Sequence, residues 1–217
     1  IFEPAYDSYI PAIELSGGIV VPVQLKYPDY SIDWNEVKSK VSPKTKLIIT
    51  NTPHNPTGAT WTNSDIQNLK DITTNTDIKI ISDEVYEHIT YDEKKHESVI
   101  LDEELRNRSM VISSFGKTFH ATGWKVGYCV APEYLMTEFK KVHQFLTFST
   151  STPMQMALAE YMTDEITYLG IPQFYQEKRD YFQELVKDTQ FEILNCSGTY
   201  FQLLGYKNIS DKPDTVF

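Results

Sequence analysis

"KLIITNTPHNPTGATWTNSDIQNLKDITTNTDIKIISDEVYEH", residues 46–88, decides the fold. It opens on "KLIIT" (46–50), an apolar, β-branched run with the composition of a short strand. A loop rich in turn residues follows, "NTPHNPTG" (51–58). "TNSDIQNLKDIT" (62–73) then carries helical spacing behind a polar start, and "IKIIS" (78–82) is a second strand that ends in "DEVYEH". Strands that are apolar almost throughout are strands covered on both faces. A strand, a helix and a strand in that order predict parallel pairing through a crossover helix.

The same alternation extends in both directions. "GGIVVPVQL" (17–25), "MVISS" (110–114) and "VGYCVA" (126–131) read as further strands, and "DWNEVKSKV" (33–41) as a further helix. Residues 133–146 are helical in pattern. So are 153–187, with a break near "LGIP" (169–172); "FEIL" (191–194) and "TYFQLLGY" (199–206) return to strand patterning. The expectation is an α/β protein with a mostly parallel sheet and helices on both faces. Residues 1–170 would belong to one large domain, 171–188 to a connecting helix, and 189–217 to the start of a small α/β domain.

Composition narrows the function. The chain has 217 residues, 41% of them hydrophobic, and a formal net charge of −10. That is enough for one large domain with a core. The acidic balance argues against a nucleic-acid surface. No apolar run approaches the ~20 residues of a membrane span. Cys129 and Cys196 form no CxxC pair and are expected to be free thiols in a reducing compartment, so a cytoplasmic protein is expected. The sequence begins at Ile1 with neither a basic start nor a long apolar stretch, which sets the expectation of no signal peptide. Both ends read as cut, and a piece of a longer chain is the working expectation.

Ligands of open α/β sheets collect beyond the carboxyl ends of the strands. Here those ends carry "NTPHNPTG", "DEVYEH" and "SFGKT". Lys117 and Lys125 lie in "SSFGKTFHATGWKVGY" (113–128), among glycines, hydroxyls and aromatics rather than on a charged face. A lysine amine attacks an aldehyde when its proton affinity is lowered, and a second cation such as Lys125 would lower it. Gly116 would let the backbone approach a flat ligand. The aldehyde cofactor that most often uses such a lysine is pyridoxal 5'-phosphate. It needs an acid at its ring nitrogen, which Asp83 could supply, and donors to its ring oxygen, which Asn55 and Tyr86 could supply. Ser114 and Lys125 could meet the phosphate, and Tyr6 in "EPAYDSY" could stack on the ring.

Each residue alone has a plainer reading. A lone lysine is a solvated surface group, Asp83 could cap a helix starting at Glu84, and Asn55 before Pro56 is a common turn residue. Tyr86 alone suggests packing, and Ser114 alone says nothing. His54, His88 and His120 read as packed or hydrogen-bonded groups, and their spacing suits no metal. Joint occurrence at successive strand ends favours the site.

The strings "NTPHNPTG", "ISDEVYEHITYD", "SSFGKTFHATGWKVGYCVAP" and "VHQFLTFSTSTPMQMALAEYM" resemble the class I pyridoxal-phosphate aminotransferases of fold type I. The branch they most resemble is that of the methionine and kynurenine aminotransferases. The resemblance runs from about Phe2 to about Tyr206. It implies that Lys117 carries the cofactor as a Schiff base and shuttles the substrate proton. It further implies that Asp83 pairs with the ring nitrogen, and that Tyr86 and Asn55 bond the ring oxygen. Asn55 would also touch the substrate carboxylate, Ser114 and Lys125 would hold the phosphate, and Tyr6 would stack. Lys125 stands where many relatives have Arg, so the bidentate grip on phosphate is lost. Asn51 is a weaker candidate, and Asn55–Pro56 resembles the family's cis peptide.

Two family features are missing from these residues: an upstream glycine-rich phosphate loop, and a late arginine for the substrate carboxylate. Arg106, Arg108 and Arg179 lie in other contexts. Residues 1–217 alone are therefore expected not to transaminate. The partners implied are an amino acid, methionine or aromatic favoured, a 2-oxo acid, and a second subunit in a homodimer. A carbon–sulfur β-lyase on the same fold and a non-catalytic ligand-sensing domain remain as alternatives.

Overall fold

The computed structural model describes residues 1–216. A short parallel pair, β1 (Phe2–Glu3) and β2 (Val23–Gln24), brackets α1 (Tyr9–Leu15). Helix α2 (Trp34–Lys40) leads to β3 (Leu47–Asn51), α3 (Asn63–Thr73) and β4 (Lys79–Asp83). A short α4 (Glu103–Arg106) precedes β5 (Ser109–Ser114), α5 (Phe115–Thr118) and β6 (Gly127–Val130). Strands β3, β4, β5 and β6 form one sheet in that order, the first two pairings parallel and the last antiparallel. The expected strand–helix–strand unit of residues 46–88 is present, with Leu47 to Asn51 in register with Lys79 to Asp83.

Local chemistry explains the helix starts. Thr62 and Asp65 form a reciprocal capping box at α3: the Asp65 carboxylate accepts from the Thr62 N–H at 2.7 Å. Asp33 caps α2 by accepting from the N–H groups of Asn35 and Glu36. The core lies between this layer and the sheet, where Leu69, Ile80, Val99 and Leu105 are fully buried. Phe2, Trp34 and Trp61 pack edge to face beside them, the two indoles 5.7 Å apart. Each such buried apolar side chain contributes about 1.5–3 kcal/mol.

Some expectations change. Of the run 17–25, only Val23–Gln24 is strand; Pro22 has no N–H to give a ladder, Gly17 takes a positive φ of 77°, and Ile19 is 90% exposed. Of 199–206, only Leu204–Gly205 (β8) pairs, and Thr199 adopts a left-handed backbone with φ 64°. Of 191–194, only Glu192–Ile193 (β7) is strand. Asp83 starts no regular helix; the chain makes a turn over 85–88 and Asp83 accepts from the Val85 N–H at 3.2 Å. Helix α1 was not expected, yet Pro11 sits in its first turn, where no intrahelical N–H is needed.

The C-terminal part is helical from α6 (Glu133–Leu146) through α7 (Thr152–Tyr161), α8 (Ile166–Leu169) and α9 (Ile171–Val186). The antiparallel pair β7–β8 follows, tied back by a 2.5 Å hydrogen bond from the Tyr27 hydroxyl to Glu192. Both cysteines are free, and among the described residues no helix is long and apolar enough to cross a membrane.

Candidate active site

Register alone gathers the expected residues. Asn51 and Asp83 are cross-strand partners at the carboxyl ends of β3 and β4, and Asp83 faces Ile112 on β5. Ser114 ends β5 and pairs with Gly127, two residues after Lys125. Parallel strands thus deliver three loops to one edge of the sheet.

Asp83 is the most constrained of these side chains. One carboxylate oxygen accepts from the Tyr9 hydroxyl at 2.5 Å and the other from the Val85 N–H at 3.2 Å. Burial pushes its carboxyl above the usual range, against the opposing pull of Tyr9, Val85 and the Lys117 amine. The Tyr9 phenol is pushed far up, first by burial and then by the Asp83 charge.

Lys117 sits on α5, which Ser114 caps by accepting from the Gly116 N–H at 3.2 Å. Its amine lies 5.9 Å from the ring centres of both Tyr86 and Tyr200. Those rings meet edge to face at 5.2 Å. Tyr86 is buried, and burial followed by the Tyr200 hydroxyl pushes its phenol up. Gly116 is closely packed here: a Cβ would come within 3.0 Å of the Thr122 backbone and 3.3 Å of the Ser114 hydroxyl.

Asn55 is placed through Asn51. The Asn51 amide donates to the Asp83 carbonyl at 2.9 Å, and its oxygen accepts from the Asn55 N–H at 2.8 Å. The Asn55–Pro56 bond is cis, as the resemblance implied. Lys125 is exposed, with a left-handed backbone of φ 55°, in the turn that returns to Ser114. Tyr6 is 47% exposed and meets Tyr9 edge to face at 5.6 Å.

Asp83, Tyr86 and Lys117 therefore share one site directly. Asn55 joins it through Asn51, and Tyr6 through Tyr9. Ser114 and Lys125 flank it on β5 and the turn before β6. Two residues were missed. Tyr9 stands three places after Tyr6, a helical spacing that α1 makes effective. Tyr200 lies in a run read as regular strand, which hid its approach to Lys117.

The bland readings of the other polar residues hold. His54 meets the Thr57 hydroxyl at 2.8 Å and His120 meets Tyr175 at 2.9 Å. His88 lies beside Tyr168 and Glu87. Arg108 donates to backbone carbonyls of Thr73, Thr76 and Ile78, and Arg179 pairs with Asp92. Among the described residues no cluster of His, Cys, Asp and Glu could hold a metal.

An α/β sheet of this topology is that of the fold-type-I aminotransferases, a class of pyridoxal-phosphate enzymes. The chain belongs to the family "Aminotransferase class I and II", whose model matches residues 1–213. It is 48% identical to a methionine aminotransferase of Escherichia coli over 217 residues, all of this chain and 56% of that protein. It is 36% identical to a rat kynurenine–oxoglutarate transaminase 3 over 91% of this chain and 46% of the relative. Among solved structures, an E. coli protein with a methionine aminotransferase function superposes with a TM-score of 0.97 at 47% identity, over all of this chain and 57% of its own. The N-succinyldiaminopimelate aminotransferase of Mycobacterium tuberculosis gives 0.95 at 29%, with the same coverage. The chain spans about half the length of the curated relatives it matches.

Proposed function

We propose that this chain is the cofactor-holding part of an aminotransferase that moves an amino group from an amino acid to a 2-oxo acid. The observation that carries the reading is the Lys117 amine between the Tyr86 and Tyr200 rings, within electrostatic reach of a half-buried Asp83. Pyridoxal phosphate fits this donor set. Lys117 offers the amine for its aldehyde, Asp83 the anion for its ring nitrogen, Tyr86 and Asn55 donors for its ring oxygen, and Ser114 and Lys125 a hydroxyl and a cation for its phosphate.

When bound, that cofactor supplies an electron sink for bond breaking at the substrate α-carbon. Asp83 holds the proton at the ring nitrogen. A buried carboxylate whose charge is disfavoured by its surroundings gains strongly from a cation brought beside it. Lys117 attaches the cofactor and moves the proton taken from the α-carbon. Asn55 orients the substrate carboxylate, and Tyr6 covers a face of the ring.

Methionine and aromatic amino acids are the favoured donors, on the likeness to methionine and kynurenine aminotransferases. We read the protein as a cytoplasmic homodimer. Residues 1–170 belong to its large domain, 171–188 to an interdomain helix and 189–217 to the opening of its small domain. Borohydride reduction of the protein loaded with pyridoxal phosphate, followed by peptide mapping, tests the assignment. The adduct is expected on Lys117, and an adduct on Lys125 instead overturns it. Amino-group transfer from methionine or phenylalanine, rather than release of ammonia and pyruvate, separates this reading from the β-lyase.

A further inference from the structure

Between Asp83 and Tyr86 stands a residue that the proposed chemistry does not use. Glu84 is 1% exposed, and both of its carboxylate oxygens have polar partners. One carboxylate oxygen lies 2.7 Å from His96 Nε2, and the other accepts from the Ser82 hydroxyl at 2.7 Å and the Val99 N–H at 3.3 Å. Ser82 in turn accepts from the Thr50 hydroxyl on β3 at 3.2 Å.

Side chains alternate faces along a strand. Ser82 and Glu84 therefore point to the side of the sheet opposite Asp83. The Glu84 backbone continues the sheet, its N–H donating to the Ile112 carbonyl at 2.8 Å, and its carbonyl accepts from the Glu87 N–H at 2.9 Å to start the turn. That turn carries Tyr86. One residue thus ties β3 through Thr50 and Ser82, the end of β5, the turn, and the segment 96–99. An apolar side chain of the same size would leave the Val99 N–H, the Ser82 hydroxyl and His96 Nε2 without their partner.

We propose that Glu84 and His96 form a buried positioning pair that fixes where Asp83 and Tyr86 stand at the cofactor ring. The pair touches no cofactor atom; it acts through Asp83, the neighbour of Glu84, and through Tyr86, two places further on. The Glu84 charge also bears on Asp83, whose carboxyl it makes harder to ionise. His88 senses His96 and Tyr128 senses Glu84, while Glu87 is engaged by the Ser113 and Tyr128 hydroxyls.

The inference rests on the reading of Asp83 and Tyr86 as ring-binding residues, and the test separates the two. The intact aminotransferase that contains these residues, loaded with pyridoxal phosphate, is compared as wild type, Glu84→Gln, Glu84→Ala, His96→Gln and His96→Leu. Three readouts are taken: the cofactor dissociation constant, the pH midpoint of the bound cofactor's absorbance, and kcat with KM. Glu84→Ala and His96→Leu are expected to weaken cofactor binding about tenfold and to shift the absorbance midpoint by about half a pH unit. Both should lower kcat about tenfold with KM within twofold. Glu84→Gln and His96→Gln, which keep hydrogen-bonding groups in place, should restore most of each. A lowered melting temperature with an unchanged absorbance midpoint and dissociation constant would reduce the pair to scaffolding and overturn the proposal. If Glu84→Ala does not fold, the two His96 variants decide alone. Wild-type protein that takes up no cofactor at Lys117 would instead sink the reading beneath it.

Discussion

The Tyr9 hydroxyl donates to Asp83 Oδ2 at 2.5 Å across 74 positions of sequence, joining α1 to the end of β4. It is one of two donors that stabilise the Asp83 charge against burial. Tyr9→Phe removes the donor and keeps the ring. Hydrogen bonds to charged groups are worth about 1.5–3 kcal/mol. The Asp83 carboxyl should then rise further, and the share of it that is protonated has no charge with which to hold the ring-nitrogen proton. The expected outcome is a kcat lower by about tenfold, with an altered absorbance of the bound cofactor. Steady-state kinetics and a visible spectrum check it; wild-type values in both would leave Tyr9 as packing for α1.

Asp83→Asn should be more severe. The amide matches the carboxyl in size and can still accept from Tyr9, so folding and cofactor binding should persist. It carries no charge to hold the ring-nitrogen proton. The lost stabilisation belongs to the transition state and should appear in kcat, by roughly a hundredfold or more. Single-turnover kinetics with methionine, monitored on the cofactor absorbance, give the answer. Turnover near that of the wild type would remove Asp83 from the chemistry.

These two residues also mark what could be read from sequence. Asp83 was legible because it ends an apolar run, and a strand end in an open α/β sheet is where ligands collect. The helix at 62–73 was legible because Thr62 and Asp65 write its start into the chain. Tyr9 was not legible as an Asp83 partner, because a contact across 74 positions leaves no periodic trace. Tyr200 escaped for a different reason. Its run has strand composition, but the left-handed Thr199 and the absence of a ladder partner for most of the run turn the ring toward Lys117. Glu84 read only as the start of a helix that Asp83 could cap; its burial and its bond to His96 exist only once the loop over 91–98 has folded back.

Arg179 offers a stability test outside the site. It forms paired bonds to Asp92, donates to the Cys196 carbonyl at 3.0 Å and stacks over the Tyr91 ring at 4.7 Å. Asp92 is 53% exposed and Arg179 only 11%. Solvent screens the exposed partner, so Asp92→Asn should cost about 1 kcal/mol or less. Arg179→Met also loses the pairing with Asp180, the part-buried carbonyl bond and the ring contact, and should cost about 2 kcal/mol. Urea unfolding of both variants ranks them; equal losses would mean that the ion pair carries the whole effect.

The pH dependence of stability should report His54. This ring is buried beside the site loop, its Nδ1 2.8 Å from the Thr57 hydroxyl, and burial lowers its pKa from 6.5 to about 4. The unfolded chain takes up a proton near pH 6.5, while the folded chain resists until about pH 4. Between those values the unfolded state binds more protons, so stability rises with pH. The contribution is complete above pH 6.5 and is lost as pH falls toward 4. The full difference between the two values corresponds to roughly 3 kcal/mol. His54→Gln keeps a polar side chain of similar reach but has no proton to gain. The variant should lose little stability on acidification through this window, apart from what carboxylates contribute to both proteins. Denaturant unfolding of the two at several pH values gives the difference curve. It should be flat above pH 6.5 and should bend in favour of His54→Gln below it; a constant offset at all pH values would show that His54 charges as easily in the folded chain as in the unfolded one.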